Sequence, residues 1–441
     1  MSAQRAGTES IQRRQVENQL KRILDSDVFA GRGGFKKVER LAALLNHIVT
    51  ETLDGRDVTE NSLLIDFYKL SSEELTIDNT IARRNAGRLR GRLQDYYATQ
   101  GLDEPLLIEI PTGQYVAEWE PNPKSPAQKE VRLGLYHVNR EAPAHIRQAL
   151  VHFDKAVALD RDFAEAYAGQ AGALLTMTLH AYSEDPTALL DQAEEAAKKA
   201  LALDEGSWLG HVNLGIVHYF RHDWDSADAS FEAARKINSA RLDASGGYGP
   251  YLLCRGRYKE GLDLAQRYLD EAPDDVVLLR RAALYLYALR YFAEAEEILL
   301  RTLQMDQHFW LSHQMLAYVY LARKEPQKAL AHMSRVEPLT GMNLWPGLKV
   351  LCLEAAGMSK EVEKEFAELW QSSQDHYIQP MQLALGYLAQ GNPLEAIAFL
   401  SAACEEGDPF TAWLHLWPFL DPLRRFPEFR ALLRRWKFPS A

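Results

Sequence analysis

Cysteine is scarce in this chain, and long apolar runs are missing. Cys254, Cys352 and Cys404 stand far apart and without CxxC spacing in 441 residues. That excludes a disulfide framework and a cysteine-based zinc module, and it predicts reduced, buried thiols. No run of about 18 apolar residues occurs, so no membrane span is expected. The opening MSAQRAGTES has no apolar signal core, which predicts a cytoplasmic location.

Positive charge is not in excess either. Lys and Arg number 50 against 61 Asp and Glu, a net charge of −11. Residues 1–120 hold 16 against 19, and residues 121–441 hold 34 against 42. Neither part is basic, so sequence-blind binding of polyanions is excluded and any nucleic-acid contact needs a local patch. HExxH, GxSxG, the phosphate loop GxxxxGK[ST] and the dinucleotide fingerprint are all absent. His218 and His222 are spaced i, i+4 but have no third ligand, so no metal is expected. No cofactor and no enzyme activity are expected. The glycines of AGRGGFKK, residues 30–37, read as a plain loop, with Lys36, Lys37 and Arg40 at a helix start.

What the chain does have is a period. A small residue recurs every 34 positions at Ala193, Ala227, Gly261, Ala295 and Ala329; Val362 comes one residue early, and Ala396 follows it by 34. Ala149 precedes Ala193 by 44, so about ten extra residues lie between them. The insertion HAYSEDPTALL near 180–190 reads as a longer loop there. A period in this range means a solenoid, because each unit buries its apolar face only against its neighbours. Each small residue sits where two paired helices touch. Gly256 and Gly391 fall at the turns, where glycine adopts positive φ at little cost.

These residues resemble the tetratricopeptide (TPR) family, with about eight repeats over 131–436. The first unit, from Val131, resembles the opening segment of bacterial signalling proteins described as adenylate-cyclase-like or TPR regulators. FLDPLRRFPEFRALLRRW, from Phe419 to Trp436, is similar to their terminal segment and reads as a capping helix. No room remains for a cyclase domain, so only the architecture is carried over. In such arrays the first helix of each pair lines a concave groove. That places Tyr219, Phe220, Arg280, Leu284, Tyr287, Gln314, Tyr318 and Leu321 on a surface for a protein segment or small ligand. The same residues also suit packing between neighbouring helices of a tight superhelix.

Residues 10–120 follow a different pattern. Amphipathic helices are predicted over IQRRQVENQLKRILDS and over VERLAALLNHIVTETLDG, the latter ended by Gly55. Thr59 suits an N-cap for ENSLLIDFY, and Asp78 one for NTIARRNAGRLRGRLQDYYATQ. LLIEIPTGQYVAEW then alternates around Thr112-Gly113 as a β-hairpin. ARRNAGRLRGRLQDYY resembles the recognition helix of OmpR-type winged helices, and IEIPTGQYVAEW resembles their wing. A winged helix followed by TPR units is also similar to activators of the SARP and HilA kinds.

Within that helix Ala82, Ala86, Leu89, Leu93 and Tyr96 share one face and should pack inwards. Arg84, Arg88 and Arg92 form a stripe elsewhere, flanked by Arg83 and Arg90. Residues 76–97 hold five arginines against two aspartates. Arginine holds phosphates bidentately and reads guanine edges. The resemblance implies contact with double-stranded DNA through Arg83, Arg84, Arg88, Arg90 and Arg92, with Thr112 and Gln114 of the wing alongside. Solvated or internally paired arginines are the plainer alternative. Gly87 and Gly91 interrupt the helix, each costing about 1 kcal/mol relative to alanine; they suit either a close backbone approach or a decayed site. Glu109, Glu118 and Glu120 make the hairpin acidic.

The expected chain is mainly α: a winged helix-turn-helix at 10–120, a linker at 121–130, and an α-solenoid at 131–436. The expected function is transcription regulation, with a protein or effector on the TPR array. Dimerisation or a partner is expected because one winged helix reads only a short site. The alternative is an interaction scaffold or signalling adaptor whose winged helix does not bind DNA.

Overall fold

The computed structural model describes residues 13–30, 36–71, 81–111, 113–122, 125–138, 140, 142–180, 186–244 and 246–439. Thr112, Asp78 and residues 181–185 of the predicted insertion lie outside these.

The N-terminal part is built from helices α1 (Arg13–Leu24), α2 (Lys36–Leu53) and α3 (Ile81–Ala98) and strands β1 (Leu106–Glu109) and β2 (Glu118–Pro121). Between α2 and α3, Thr59 caps a short helix in a reciprocal capping box with Ser62, followed by a π-turn at Leu63–Phe67. The core joins Val16, Leu20 and Ile23 of α1, Leu44, Leu45 and Ile48 of α2, and Leu89, Leu93 and Tyr96 of α3. The strands pair antiparallel, Leu106 opposite Pro121 and Glu109 opposite Glu118. The sequence suggested a β-hairpin around Thr112-Gly113; the strands do pair and the Gln114 N–H donates to the Pro111 carbonyl at 3.1 Å, but the ladder stops well short of that point. Ile110 and Ala117 explain this, since both turn into the core. The Ala117 N–H also donates to Thr52 Oγ1 at 3.1 Å instead of continuing the ladder.

From Pro126 onwards the described helices run in eight successive pairs. They are α4 (Pro126–Val138) with α5 (Pro143–Leu159), α6 (Ala164–Leu179) with α7 (Pro186–Leu203), and α8 (Trp208–Phe220) with α9 (Trp224–Ala244). Next come α10 (Tyr248–Cys254) with α11 (Tyr258–Glu271), α12 (Val276–Ala288) with α13 (Phe292–Met305), and α14 (Trp310–Ala322) with α15 (Pro326–Thr340). Last are α16 (Pro346–Ala355) with α17 (Ser359–Asp375) and α18 (Pro380–Ala389) with α19 (Pro393–Glu405). Helix α4 begins inside the segment read as a linker. Helix α7 takes up residues 186–190 of the predicted loop and buries Pro186, Leu189 and Leu190.

The period is also written in the backbone. His222, Gly256, Arg290, Lys324, Gly357 and Gly391 all have positive φ, between 57° and 75°. Each ends the first helix of a pair. The small residues of the repeat sit on the second helices: Ala149, Ala193, Ala227, Ala295, Ala329 and Ala396 are fully buried. A Cβ on Gly261 would meet the Leu253 side chain at 2.5 Å, so an alanine there would require that leucine to shift.

The last segment departs from expectation. It does not merely cap the final pair. After α19 the chain makes 3₁₀ turns at Pro409–Trp413 and Pro418–Arg425 and then helix α20 (Pro427–Arg435). This segment runs back across the concave face. Arg290 donates to the Leu416 carbonyl at 2.9 Å and pairs with Asp421 at 2.8 Å. Trp417 lies against Tyr287 and Tyr318. The reason is composition: Phe410, Trp413, Trp417 and Phe419 carry large apolar area with no other face to bury it. Among the described residues, no helix is long and apolar enough to cross a membrane. All three cysteines are buried and unbridged.

Candidate functional site

Helix α3 presents three faces, and the sequence sets each. Ala82, Ala86, Leu89, Leu93 and Tyr96 face the N-terminal core, all buried. Gly87, Arg90, Gly91 and Gln94, one turn apart, face the repeat array. Arg84, Arg88 and Arg92 occupy the remaining side.

The five arginines therefore meet different fates. Arg83 pairs with Glu60 at 2.8 Å. Arg84 is half-buried and Arg88 is exposed. Arg92 donates to the Val28 carbonyl. Arg90 is 12% exposed and forms an ion pair with Asp274, itself 2% exposed, at the corner between α11 and α12. Its other nitrogens donate to the carbonyls of Ile110 at 2.7 Å, Pro111 at 2.8 Å and Gln114 at 2.5 Å. Burial pushes its guanidinium down to about 10, so it stays charged at neutral pH. Gln114 is exposed beside it.

The same corner touches two glycines. A Cβ on Gly87 would stand 3.0 Å from the Asp274 carbonyl oxygen, and one on Gly113 only 1.5 Å from that of Glu271. Gly87 thus marks a close backbone approach. Gly91 differs: a Cβ there would meet nothing within 4 Å. Further contacts bind the end of α3 to α4 and to Arg140 just beyond it. Tyr136 donates to Asp95 at 2.8 Å, Arg140 pairs with the same carboxylate, and Arg132 donates to the Tyr97 carbonyl at 3.1 Å.

Between α3, the concave face and the returning C-terminal segment lies a chamber of about 790 Å³. Tyr219, Phe220, Arg280, Leu284, Gln314 and Tyr318 line it. Tyr287 does not; it is buried behind Tyr318, with ring centroids 5.9 Å apart. Leu321 is also outside the lining. Tyr219, Phe220 and Tyr318 are themselves largely covered, because Pro409, Phe410, Trp413 and Trp417 close the chamber from the C-terminal side. Sequence periodicity cannot find that wall, since the C-terminal turns carry no repeat.

His222 and His218 do not converge. The His222 ring is buried against Trp436 and Phe438, while His218 faces Asp223 at 3.8 Å. Among the described residues, no group of three or more His, Cys, Asp or Glu is placed to hold a metal.

No protein-family model and no curated protein matches the chain. Solved structures of helical-repeat proteins are similar to it at low identity. A tetratricopeptide repeat protein from Parabacteroides merdae aligns at 12% identity over 64% of this chain and 93% of its own, with a TM-score of 0.37. In its paired helices and 34-residue period the described array resembles a tetratricopeptide solenoid. Yeast Tom70 aligns with the chain at 14% identity over 95% of this chain and 90% of its own, TM-score 0.41. YrrB, a TPR protein with an unusual peptide-binding site, aligns at 19% identity over 43% and 92%, TM-score 0.27. Within this chain that resemblance rests on the paired helices and on a 34-residue period shared by the small residues and the left-handed turns.

Proposed function

We propose that the protein is an interaction scaffold, in which the tetratricopeptide array recognises a partner on its concave face and holds the N-terminal unit as a docked domain. We read that unit as a winged helix-turn-helix with the β1–β2 hairpin as its wing, placed in the cytoplasm and without catalytic work of its own. The observation that carries this reading is Arg90. It is the arginine of α3 most deeply committed to the protein, tied to Asp274 and to three carbonyls around the hairpin. A charge so engaged is withdrawn from phosphates. The test is capture of a partner by the full chain. Leu284→Glu, on the concave face, should abolish saturable binding, and the outer-surface control Val151→Glu should leave it unchanged. Binding indifferent to Leu284→Glu overturns the scaffold reading.

A second reading is favoured by Arg88, which is exposed on the free side of α3, next to Arg84. Here the unit binds DNA and the array regulates it. A titration of genomic fragments against the full chain, with salt varied, separates the two. A sequence-preferring complex that weakens as salt rises, and is lost in Arg84→Ala with Arg88→Ala, establishes this second reading. No preference among fragments removes it.

A further inference from the structure

We propose that the chamber beneath α3 is a binding site for a small organic anion with an aromatic or aliphatic body. Its occupant would touch both the N-terminal unit and the array. The inference deepens the scaffold reading, since it takes the concave face to be a recognition surface.

Size comes first. A volume of about 790 Å³ falls within the range of small-molecule sites, about 300–1,000 Å³. A peptide laid along the whole concave face is disfavoured, because the chain's own C-terminal segment lies across it at Trp417, so a partner would reach that face through the chamber. The walls decide the body of the ligand. Trp208 and Phe410 offer aromatic surfaces, and Ile216 and Leu284 aliphatic ones. Such walls favour a flat or branched apolar group.

The charges decide its sign. Arg280 and Arg281 are successive on α12 and both line the chamber. Two carboxylates also line it, but each is already engaged. Asp274 is paired with Arg90. Asp275 accepts the N–H groups of Val277 at 2.9 Å and Leu278 at 3.0 Å, capping α12. Arg280 and Arg281 hold contacts within the fold too, yet a guanidinium has five donors in a planar fork. That fork suits a carboxylate, sulfonate or phosphate.

Gly91 supplies the link to α3. With nothing within 4 Å of where its Cβ would be, the helix backbone forms bare wall there. An occupant would rest on that wall and on α12 together. It would then bind the docked arrangement better than an undocked one, and stabilise it by mass action.

The experiment uses the full chain and two fluorescent probes of one shape. Anilinonaphthalene sulfonate carries an anionic group; phenylnaphthylamine lacks it. The sulfonate should bind at one saturable site, about tenfold more tightly than the neutral probe. Arg280→Gln with Arg281→Gln should erase that difference while leaving the neutral probe's affinity unchanged. Gly91→Leu should exclude both probes. It should do so without lowering the melting temperature, because leucine is the better helix former. Equal affinity of the two probes, several equivalent sites, or binding unaffected by Gly91→Leu overturns the proposal. If the probes fail while partner capture still depends on Leu284, the ligand class falls and the scaffold stands. If capture fails while the probe results hold, the scaffold falls and the chamber stands.

Discussion

The indole Nε1 of Trp224 donates to the carbonyl of Trp436 at 2.9 Å, joining the third helix pair to a residue 212 positions further on. Around it, the His222 ring lies 4.8 Å from that of Trp436 and 5.5 Å from that of Phe438. The C-terminal segment is therefore part of the array's core. Trp417, against Tyr287, Tyr318 and Phe410, is its centre. Trp417→Ala should cost about 3–5 kcal/mol, as a large cavity in a packed interior does. Val151→Ala, on an exposed helix face, should cost less than about 0.5 kcal/mol. Urea denaturation followed by tryptophan fluorescence distinguishes the two.

Removing one partner of the Arg90–Asp274 pair leaves a buried charge without its complement. Arg90→Met should destabilise docking of the N-terminal unit by about 3–5 kcal/mol. The hairpin loop, whose carbonyls Arg90 also holds, should loosen with it. Hydrogen–deuterium exchange measures this directly: the amides of Gln114 and Ala117 should lose protection, while those of α14 should keep theirs.

Gly113 and Gly55 have nearly the same backbone, φ 77° and 72°. Only Gly113 faces a neighbour, the Glu271 carbonyl. Gly55→Ala should cost about 1–2 kcal/mol, the left-handed penalty alone. Gly113→Ala should cost more, because the corner of the array must move to admit the methyl group. Equal losses in thermal denaturation would mean that the corner yields freely.

Lys324 sits at a left-handed turn, φ 60°, and its side chain is exposed. Lys324→Gly should raise stability by up to about 1 kcal/mol through relief of that conformation. Arg290 occupies the equivalent turn, but its guanidinium holds Leu416 and Asp421. Arg290→Gly should lower the melting temperature where Lys324→Gly raises it.

Acid should weaken the fold. Burial pushes His222 and His415 down to about 4, against 6.5 in the open chain. Between pH 4 and 6.5 the unfolded state binds more protons, so stability rises with pH, by up to about 1.4 kcal/mol per unit for each histidine. Asp408 acts in the opposite sense. Burial pushes it up from 3.8 to about 7, so its contribution is full below its unfolded value and is lost as pH rises through 7. Two histidines outweigh one carboxyl, and the urea midpoint should fall from pH 7 to pH 5. His415→Gln should flatten that slope; an unchanged slope would mean that His415 is not the group titrating.

The repeat array was legible in the sequence because its information is local. Each of Ala193, Ala227 and Ala295 reports a crossing with a neighbouring helix, and neighbours lie within one period. The inward face of α3 was legible for the same reason, since Leu89, Leu93 and Tyr96 follow the helical spacing. The fate of Arg90 was not, because its partner lies 184 residues away in a corner with no repeat signature. Gly87 carried a trace of it: a glycine inside a helix pointed to a close approach without saying to what. The chamber was half legible. Arg280, Gln314 and Tyr318 projected onto the concave side, while Trp413 and Trp417 stayed hidden among 3₁₀ turns that follow no period.

Open solenoids gain or lose a unit with little penalty, since each contacts only the next. This one is closed upon itself. The bond from Arg290 to Leu416, like that from Trp224 to Trp436, fixes how many turns of superhelix can lie between its ends. Inserting one 34-residue unit between α12 and α18 would carry the C-terminal segment past its seat. The array should therefore unfold as a single cooperative body rather than unit by unit, and its length has been withdrawn from the easy variation that repeats otherwise allow.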